Sequence, residues 1–288
     1  MGNVWRSVRL TLETIKWEHS IFALPFALTG AVLAAGGWPR PAVLGWIVLC
    51  MVSARSAAMA FNRLVDARLD AANPRTAMRA LPAGRLSAGF VAGFVGVSAG
   101  VFLLSAGMLN RLTLLLAPVV LAIILAYSYM KRLTRWSHLV LGLSLGIAPS
   151  AAWIAVRGSY DVRILVLTVA VLLWVAGFDV LYACQDFEHD REAGLNSVPQ
   201  AFGLGAAFWI ARAMHVGMLA MLLWLVRLFG LGSLAYAGVG TVAALLLYEH
   251  SIISPRDLRR MNAAFFTLNG LISVVFFGFF AADVVLHK

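Results

Sequence analysis

Apolar runs close to twenty residues long recur from one end of this 288-residue chain to the other. A helix of that length crosses the roughly 30 Å hydrocarbon core of a bilayer, and in lipid only helices or closed barrels satisfy their own backbone. Charged residues make up 12% of the chain, about half the share of a soluble domain. The reading is an all-α, polytopic membrane bundle forming a single domain over residues 1–288. Nine transmembrane spans are expected at approximately 20–37, 41–61, 88–108, 112–130, 138–156, 162–183, 204–226, 229–249 and 263–286. In residues 1–19, Trp5, Val8, Leu12 and Ile15 fall on one helical face, and Arg6, Arg9, Glu13 and Lys16 on another. That segment predicts an amphipathic helix lying in the membrane interface, with no continuous apolar core for a cleavable leader.

The sign of the loops sets the orientation. Of 23 Lys and Arg, fifteen lie in the N-terminal segment and the connections after spans two, four, six and eight; six lie on the other side. Lys and Arg concentrate on the cytoplasmic side, so the N-terminus and the two long polar loops, 62–87 and 184–203, are expected there. The formal charge of +10 is spread over loops rather than gathered in a basic domain. It indicates anionic lipid at a cell inner membrane, bacterial or archaeal, and no nucleic acid. Cys50 and Cys184 lie in or beside apolar runs without metal-type spacing, and read as small buried hydrophobes. Small residues such as Gly30, Gly93, Gly96 and Gly100 suit a lateral opening between spans and, as easily, close-packing positions. Glu249, Arg256, Arg259 and Arg260 read as an exposed connection.

The scarce acid is unevenly placed. Seven of thirteen Asp and Glu are Asp66, Asp70, Asp179, Asp186, Glu188, Asp190 and Glu192, at the expected cytoplasmic ends of spans two and six. Asn62, Asp66 and Asp70 repeat every four residues, so on a helix they form a ladder down one face. Asp186 and Asp190 repeat the step, with Tyr182 one turn earlier and Asp179 behind it. Glu188 and Glu192 face elsewhere. Like charges four apart repel, and a wet helix face with Arg63, Arg68, Arg75 and Arg79 as neutralising partners is the alternative for the first pair. Two such ladders at equivalent places in a charge-poor chain point instead to a hard cation. Mg²⁺ takes one or two carboxylates and fills its remaining positions with water and phosphate oxygens. Two ladders facing across a cavity would hold two ions with a diphosphate between them. Arg75, Arg79, Arg85 and Lys131 supply cationic donors. Tyr127 and Lys131, four apart, share a face at the end of span four.

These residues resemble those of a known family. N-R-L-V-D-A-R-L-D (62–70) resembles the N-x-x-x-D-x-x-x-D motif of the UbiA superfamily of membrane prenyltransferases. F-D-V-L-Y-A-C-Q-D-F-E-H-D (178–190) resembles its second motif, and Tyr127 with Lys131 its Y-x-x-x-K element. The resemblance implies a nine-helix bundle with a central cavity, binding a polyprenyl diphosphate through Mg²⁺ and joining its chain to an aromatic acceptor. Carried onto this sequence, it assigns Asp66, Asp70, Asp186 and Asp190 to the metal and Asn62, Arg75, Arg79, Tyr127 and Lys131 to the diphosphate. Asp179, Tyr182 and Lys131 fall to the reacting centre. I-K-W-E-H-S-I-F-A-L-P-F-A (15–27) resembles the 4-hydroxybenzoate polyprenyltransferase branch, with Lys16 and His19 as candidates for the acceptor carboxylate.

Within that branch the alternative acceptor is 1,4-dihydroxy-6-naphthoate, for a menaquinone route. Glu13 stands near a place where hydroxybenzoate enzymes tend to carry an arginine, which weighs toward it. From another class, a polytopic transporter is the rival. Transporters place critical charges near the bilayer midplane, whereas these acids lie at helix ends.

Overall fold

The computed structural model describes residues 10–11 and 22–286. The expected interfacial helix, with Lys16 and His19, lies outside the described residues apart from Leu10 and Thr11. All named elements are helical; the only β feature among the described residues is a bridge between Ser254 and Asp257. In chain order the helices are α1 Leu24–Ala35, α2 Pro41–Val65, α3 Ala67–Ala72, α4 Ala88–Leu109, α5 Arg111–Leu133, α6 Ser137–Arg157 and α7 Leu165–Ala183. There follow α8 Phe187–Glu192, α9 Val198–Leu228, α10 Ser233–Ile252 and α11 Asn269–Leu286.

Among the described residues, seven helical stretches are long and apolar enough to cross a membrane. Two of the nine expected spans are not among them. α1 has twelve residues, about 18 Å at the α-helical rise. α10 has twenty, but Glu249 and His250 in its last turn lower its apolarity. Val97, Leu104, Met108, Leu115 and Val119 on α4 and α5 are all more than half exposed, the outward apolar surface a lipid-facing helix carries.

The chain divides into two compact units. The one holding residues 45–129 contains most of α2, then α3, α4 and most of α5. Among the described residues, Cys50, Phe102, Ala106 and Ala117 form one buried cluster there, and Ala60, Ala80, Leu86 and Val91 another.

The other unit, 21–44 with 130–288, is built round α7. Most of that helix is buried, with Leu167, Val171, Trp174, Val175 and Val180 all at 0% exposure, while Leu165 and Val169 in its first turns are exposed. An all-round apolar helix needs such a central place. Glycine lets α6 reach it: a Cβ at Gly142 would lie 2.4 Å from the Leu172 carbonyl oxygen, and one at Gly146 2.7 Å from that of Thr168. Gly30 of α1 meets Pro149 of α6 as closely. Gly93, Gly96 and Gly100, for which close packing was one of two readings, have nothing near their Cβ positions among the described residues. The small-residue pattern alone does not tell which helix face meets a neighbour.

Polar groups are buried where they serve packing. Asp283 of α11, 0% exposed, accepts hydrogen bonds from Gly232 N at 2.7 Å and Ala235 N at 3.1 Å. It caps the first turn of α10 from another helix. Glu249, expected in an exposed connection, is instead 1% exposed and hydrogen-bonded to Asn269. The polar group following it in sequence belongs to the next connection, while the α10 backbone turns Glu249 inward.

Candidate active site

The first acid ladder stands where α2 ends. Asp66 has φ −92° and ψ 5°, which interrupts the helix, and α3 resumes for six residues. The i,i+4 backbone bonds continue through the break, Asp66 N to Asn62 O at 2.9 Å and Asp70 N to Asp66 O at 2.8 Å. The ladder therefore keeps its step. Asn62 donates Nδ2–H to Asp66 Oδ2 at 2.9 Å.

Asp70 is buried, and one nitrogen of Arg79, Nη1, bonds both its oxygens at 2.7 and 2.8 Å. The loop is folded to deliver Arg79 there. Asn73 Oδ1 accepts from Arg75 N at 2.9 Å, and Thr76 Oγ1 donates to the Asp70 carbonyl at 2.9 Å. Arg85 ties the loop to itself through the Met78 carbonyl. Arg63 interacts electrostatically with Asp66, Asp70, Arg79 and Tyr127, so this unit gathers Tyr127 and the loop arginine about the first ladder. Arg75 is exposed.

The second ladder has the same construction. After α7 comes a single 3₁₀ turn, Cys184–Asp186; Asp186 has φ −99° and ψ 8°, and α8 carries Asp190 for six residues. Asp186 and Asp190 are 8% and 2% exposed, while Glu188 and Glu192 face solvent. Asp190 accepts a hydrogen bond from Ser197 and lies within electrostatic reach of Lys131. Its Oδ2 is buried with no hydrogen-bond partner among the described residues. The loop is laced to this set: Leu195 N donates to Asp190 O, and Asn196 N to Lys131 O at 2.8 Å. Ser197 also caps α9 by accepting from Gln200 N. Gly203, at φ 81°, breaks α9 where the sequence placed the loop end.

Asp179 and Tyr182 lie one turn apart on α7. Tyr182 packs against Phe265, ring centroids 4.1 Å apart, within a group that includes Phe22, Phe178 and Phe266. Phe265 and Phe266 sit on a π-helical turn, Ala263–Leu268, an element common at functional sites. Asp179 Oδ2 lies 2.7 Å from His138 Nδ1. Sequence reading passed over His138 and the Phe265–Phe266 pair, left Ser197 without a role, and gave Arg63 only as a neutralising partner of the first acids. Arg63 follows the first motif residue directly; His138 and the phenylalanine pair meet their partners across long chain separations, whereas Ser197 meets Asp190 within one loop.

No cluster of three or more His, Cys, Asp or Glu able to hold a metal occurs among the described residues. The carboxylates come in pairs, which matches what Mg²⁺ asks of protein when water and phosphate complete its shell. The buried Asp190 Oδ2 is a hard oxygen donor with no hydrogen-bond partner among the described residues, and such an atom is costly without a ligand. The donor set fits a hard divalent cation.

Apolar helices of membrane-crossing length, with a polar cluster at helix ends in each unit, define a helical integral-membrane protein. The chain belongs to the UbiA prenyltransferase family, whose model matches residues 23–271. It is 32% identical to the 4-hydroxybenzoate octaprenyltransferase of Vibrio parahaemolyticus, over 87% of this chain and 88% of that one. Its identity to the Photobacterium profundum protein of the same name is 29%, over 90% of both. The apo structure of a UbiA homolog from Aeropyrum pernix superposes with a TM-score of 0.85 at 33% identity, over 93% of this chain and 98% of that one. The Archaeoglobus fulgidus homolog bound to DMAPP and Mg²⁺ shares the fold, with a TM-score of 0.74 at 19% identity over 96% and 99%.

Proposed function

We propose that this protein transfers a polyprenyl chain from polyprenyl diphosphate to an aromatic acid of the 4-hydroxybenzoate type, releasing diphosphate for quinone biosynthesis. The observation that carries the reading is the pair of acid ladders, each interrupted at its first aspartate and continued on a six-residue helix. The names of relatives at 29–32% identity support the acceptor class, and a protein of the same fold holds DMAPP and Mg²⁺. Membership of a prenyltransferase family weighs against the transporter alternative. The whole chain, 1–288, is read as one domain with nine spans. It sits in a bacterial or archaeal inner membrane with its N-terminus and both polar loops cytoplasmic.

Asp66, Asp70, Asp186 and Asp190 would hold Mg²⁺, which when bound stabilises charge on the departing diphosphate. Asn62, Arg75, Tyr127 and Lys131 bind diphosphate oxygens. Arg79 does so too: it spends only Nη1 on Asp70, leaving Nη2 and Nε for an anion. Lys131 and these guanidinium groups favour bond breaking by meeting the charge that develops on the leaving group. The Tyr182 ring, held by Phe265, presents a π face to the allylic cation, worth about 1–2 kcal/mol when desolvated. Asp179 orients the acceptor or takes its proton, and Lys16 and His19 bind the acceptor carboxylate.

The test is diphosphate release by purified protein given polyprenyl diphosphate and each acceptor, with Mg²⁺ or with chelator. Release that needs Mg²⁺ and 4-hydroxybenzoate, and is lost in folded Asp66→Ala and Asp186→Ala, is the expected result. Full activity in both variants rejects the site. Prenylation of 1,4-dihydroxy-6-naphthoate alone replaces the acceptor.

A further inference from the structure

His138 opens the first turn of α6 and is 0% exposed. Its two ring nitrogens meet two different groups. Nδ1 lies 2.7 Å from Asp179 Oδ2, and Nε2 lies 3.2 Å from the backbone nitrogen of Val198, which donates to it. A backbone N–H can only donate, so Nε2 is the bare nitrogen of this ring. The proton therefore sits on Nδ1 and is given to Asp179. The main chain of α9 fixes the tautomer, as a hydrogen bond at one imidazole nitrogen does for the other.

Asp179 differs from its partner in access: its side chain is 16% exposed against 1% for His138. Its Oδ1 has no hydrogen-bond partner among the described residues. One oxygen is thus pinned from behind and the other is open. The pin is braced at the second loop, because Val198 follows Ser197, and Ser197 caps α9 while donating to Asp190.

We propose that His138 is the positioning residue of Asp179, holding Oδ2 so that Oδ1 alone receives the proton displaced from the acceptor. This rests on the prenyl-transfer reading above. In that reaction the allylic C–O bond breaks with its electron pair leaving on diphosphate. A carbon of the aromatic ring forms the new C–C bond, and the proton that carbon carried passes to Oδ1. A carboxylate free to rotate would spread its two oxygens over several orientations, and a displacement of about 1 Å can cost about 10²-fold in rate. His138 acts on the acceptor only through Asp179, which makes the assignment separable from a packing role.

The experiment is a double-mutant cycle on purified protein, with kcat, the KM for polyprenyl diphosphate and Tm measured for each variant. His138→Leu is expected to lower kcat about 10²-fold with that KM nearly unchanged. His138→Gln, whose amide offers one donor and one acceptor, should restore most of the rate. Added to Asp179→Ala, His138→Leu should cost no further rate, because the group it positions is gone. Losses that multiply in the double variant, or a Gln variant as slow as an equally folded Leu variant, overturn the proposal. Should His138→Leu fail to fold, His138→Asn serves: it keeps a donor near the Nδ1 position and gives up the Val198 bond. It should lower Tm and keep kcat, and a loss of kcat there overturns the pairing. An inactive wild type overturns the prenyl-transfer reading and this proposal with it. An active wild type indifferent to His138 overturns this proposal alone.

Discussion

Gly142→Ala adds one methyl group where α6 and α7 touch, and its cost can be worked from the distances. The new Cβ would lie 2.4 Å from the Leu172 carbonyl oxygen and 3.3 Å from Ala176 Cβ. The first atom is backbone and cannot turn aside. Restoring ordinary contact moves the helices apart by about 1 Å, and overpacking of that kind costs about 1–3 kcal/mol. For a chain of this size the midpoint in detergent should fall by about 3–10 °C.

The displacement also has a chemical readout. Gly142 is one turn from His138 on the same helix face, and Asp179 is on α7. A 2.7 Å bond lengthened by about 1 Å is no longer a hydrogen bond, so prenyl-transfer rate should fall along with Tm. Gly93→Ala is the control. It places the same methyl group where none of the described residues lies within 4 Å, and replacing glycine by alanine in a helix stabilises by about 0.5–1 kcal/mol. The two substitutions should therefore move Tm in opposite directions. If Gly142→Ala leaves both Tm and rate at wild-type values, the close approach of α6 to α7 is wrong.

Other perturbations follow from single contacts. Asp283→Ala removes both acceptors from the start of α10 and should cost about 1–3 kcal/mol, read as a lower Tm with KM for polyprenyl diphosphate unchanged. Ser197→Ala deletes the α9 cap, worth about 0.5–2 kcal/mol, and also a donor to Asp190. Its titration with Mg²⁺ should shift in midpoint, and a Tm loss with no such shift would confine Ser197 to capping. In Arg79→Lys the ammonium carries no second guanidinium nitrogen to offer an anion beside Asp70. KM for polyprenyl diphosphate should rise about tenfold, about 1.4 kcal/mol, and an unchanged KM would remove Arg79 from the diphosphate set.

The two ladders were legible because their information is local: four-residue steps of acid in an acid-poor chain need no knowledge of the fold. The second loop, expected over 184–203, already turns helical at Val198, and Gly203 then kinks that helix. His138 was not legible, since its meaning lies in Asp179, 41 residues away, and a histidine at the start of a span has no periodic signature. Glu249 misled because a carboxylate followed by arginines reads as loop, while its burial depends on which face of α10 meets Asn269. Glycines stayed ambiguous for the same reason. Gly142 and Gly93 are equal in sequence terms and opposite in what surrounds them.

The matched interruptions at Asp66 and Asp186 have a consequence for how such a protein can change. In an unbroken helix the spacing of two carboxylates is dictated by pitch, and altering it means shifting a whole span against its neighbours. Here each second aspartate sits on a six-residue helix set off at a local departure from α-geometry, at Asp66 in one ladder and through the Cys184–Asp186 turn in the other. The reach between paired acids can then be retuned by substitutions there, with the membrane-buried packing left untouched.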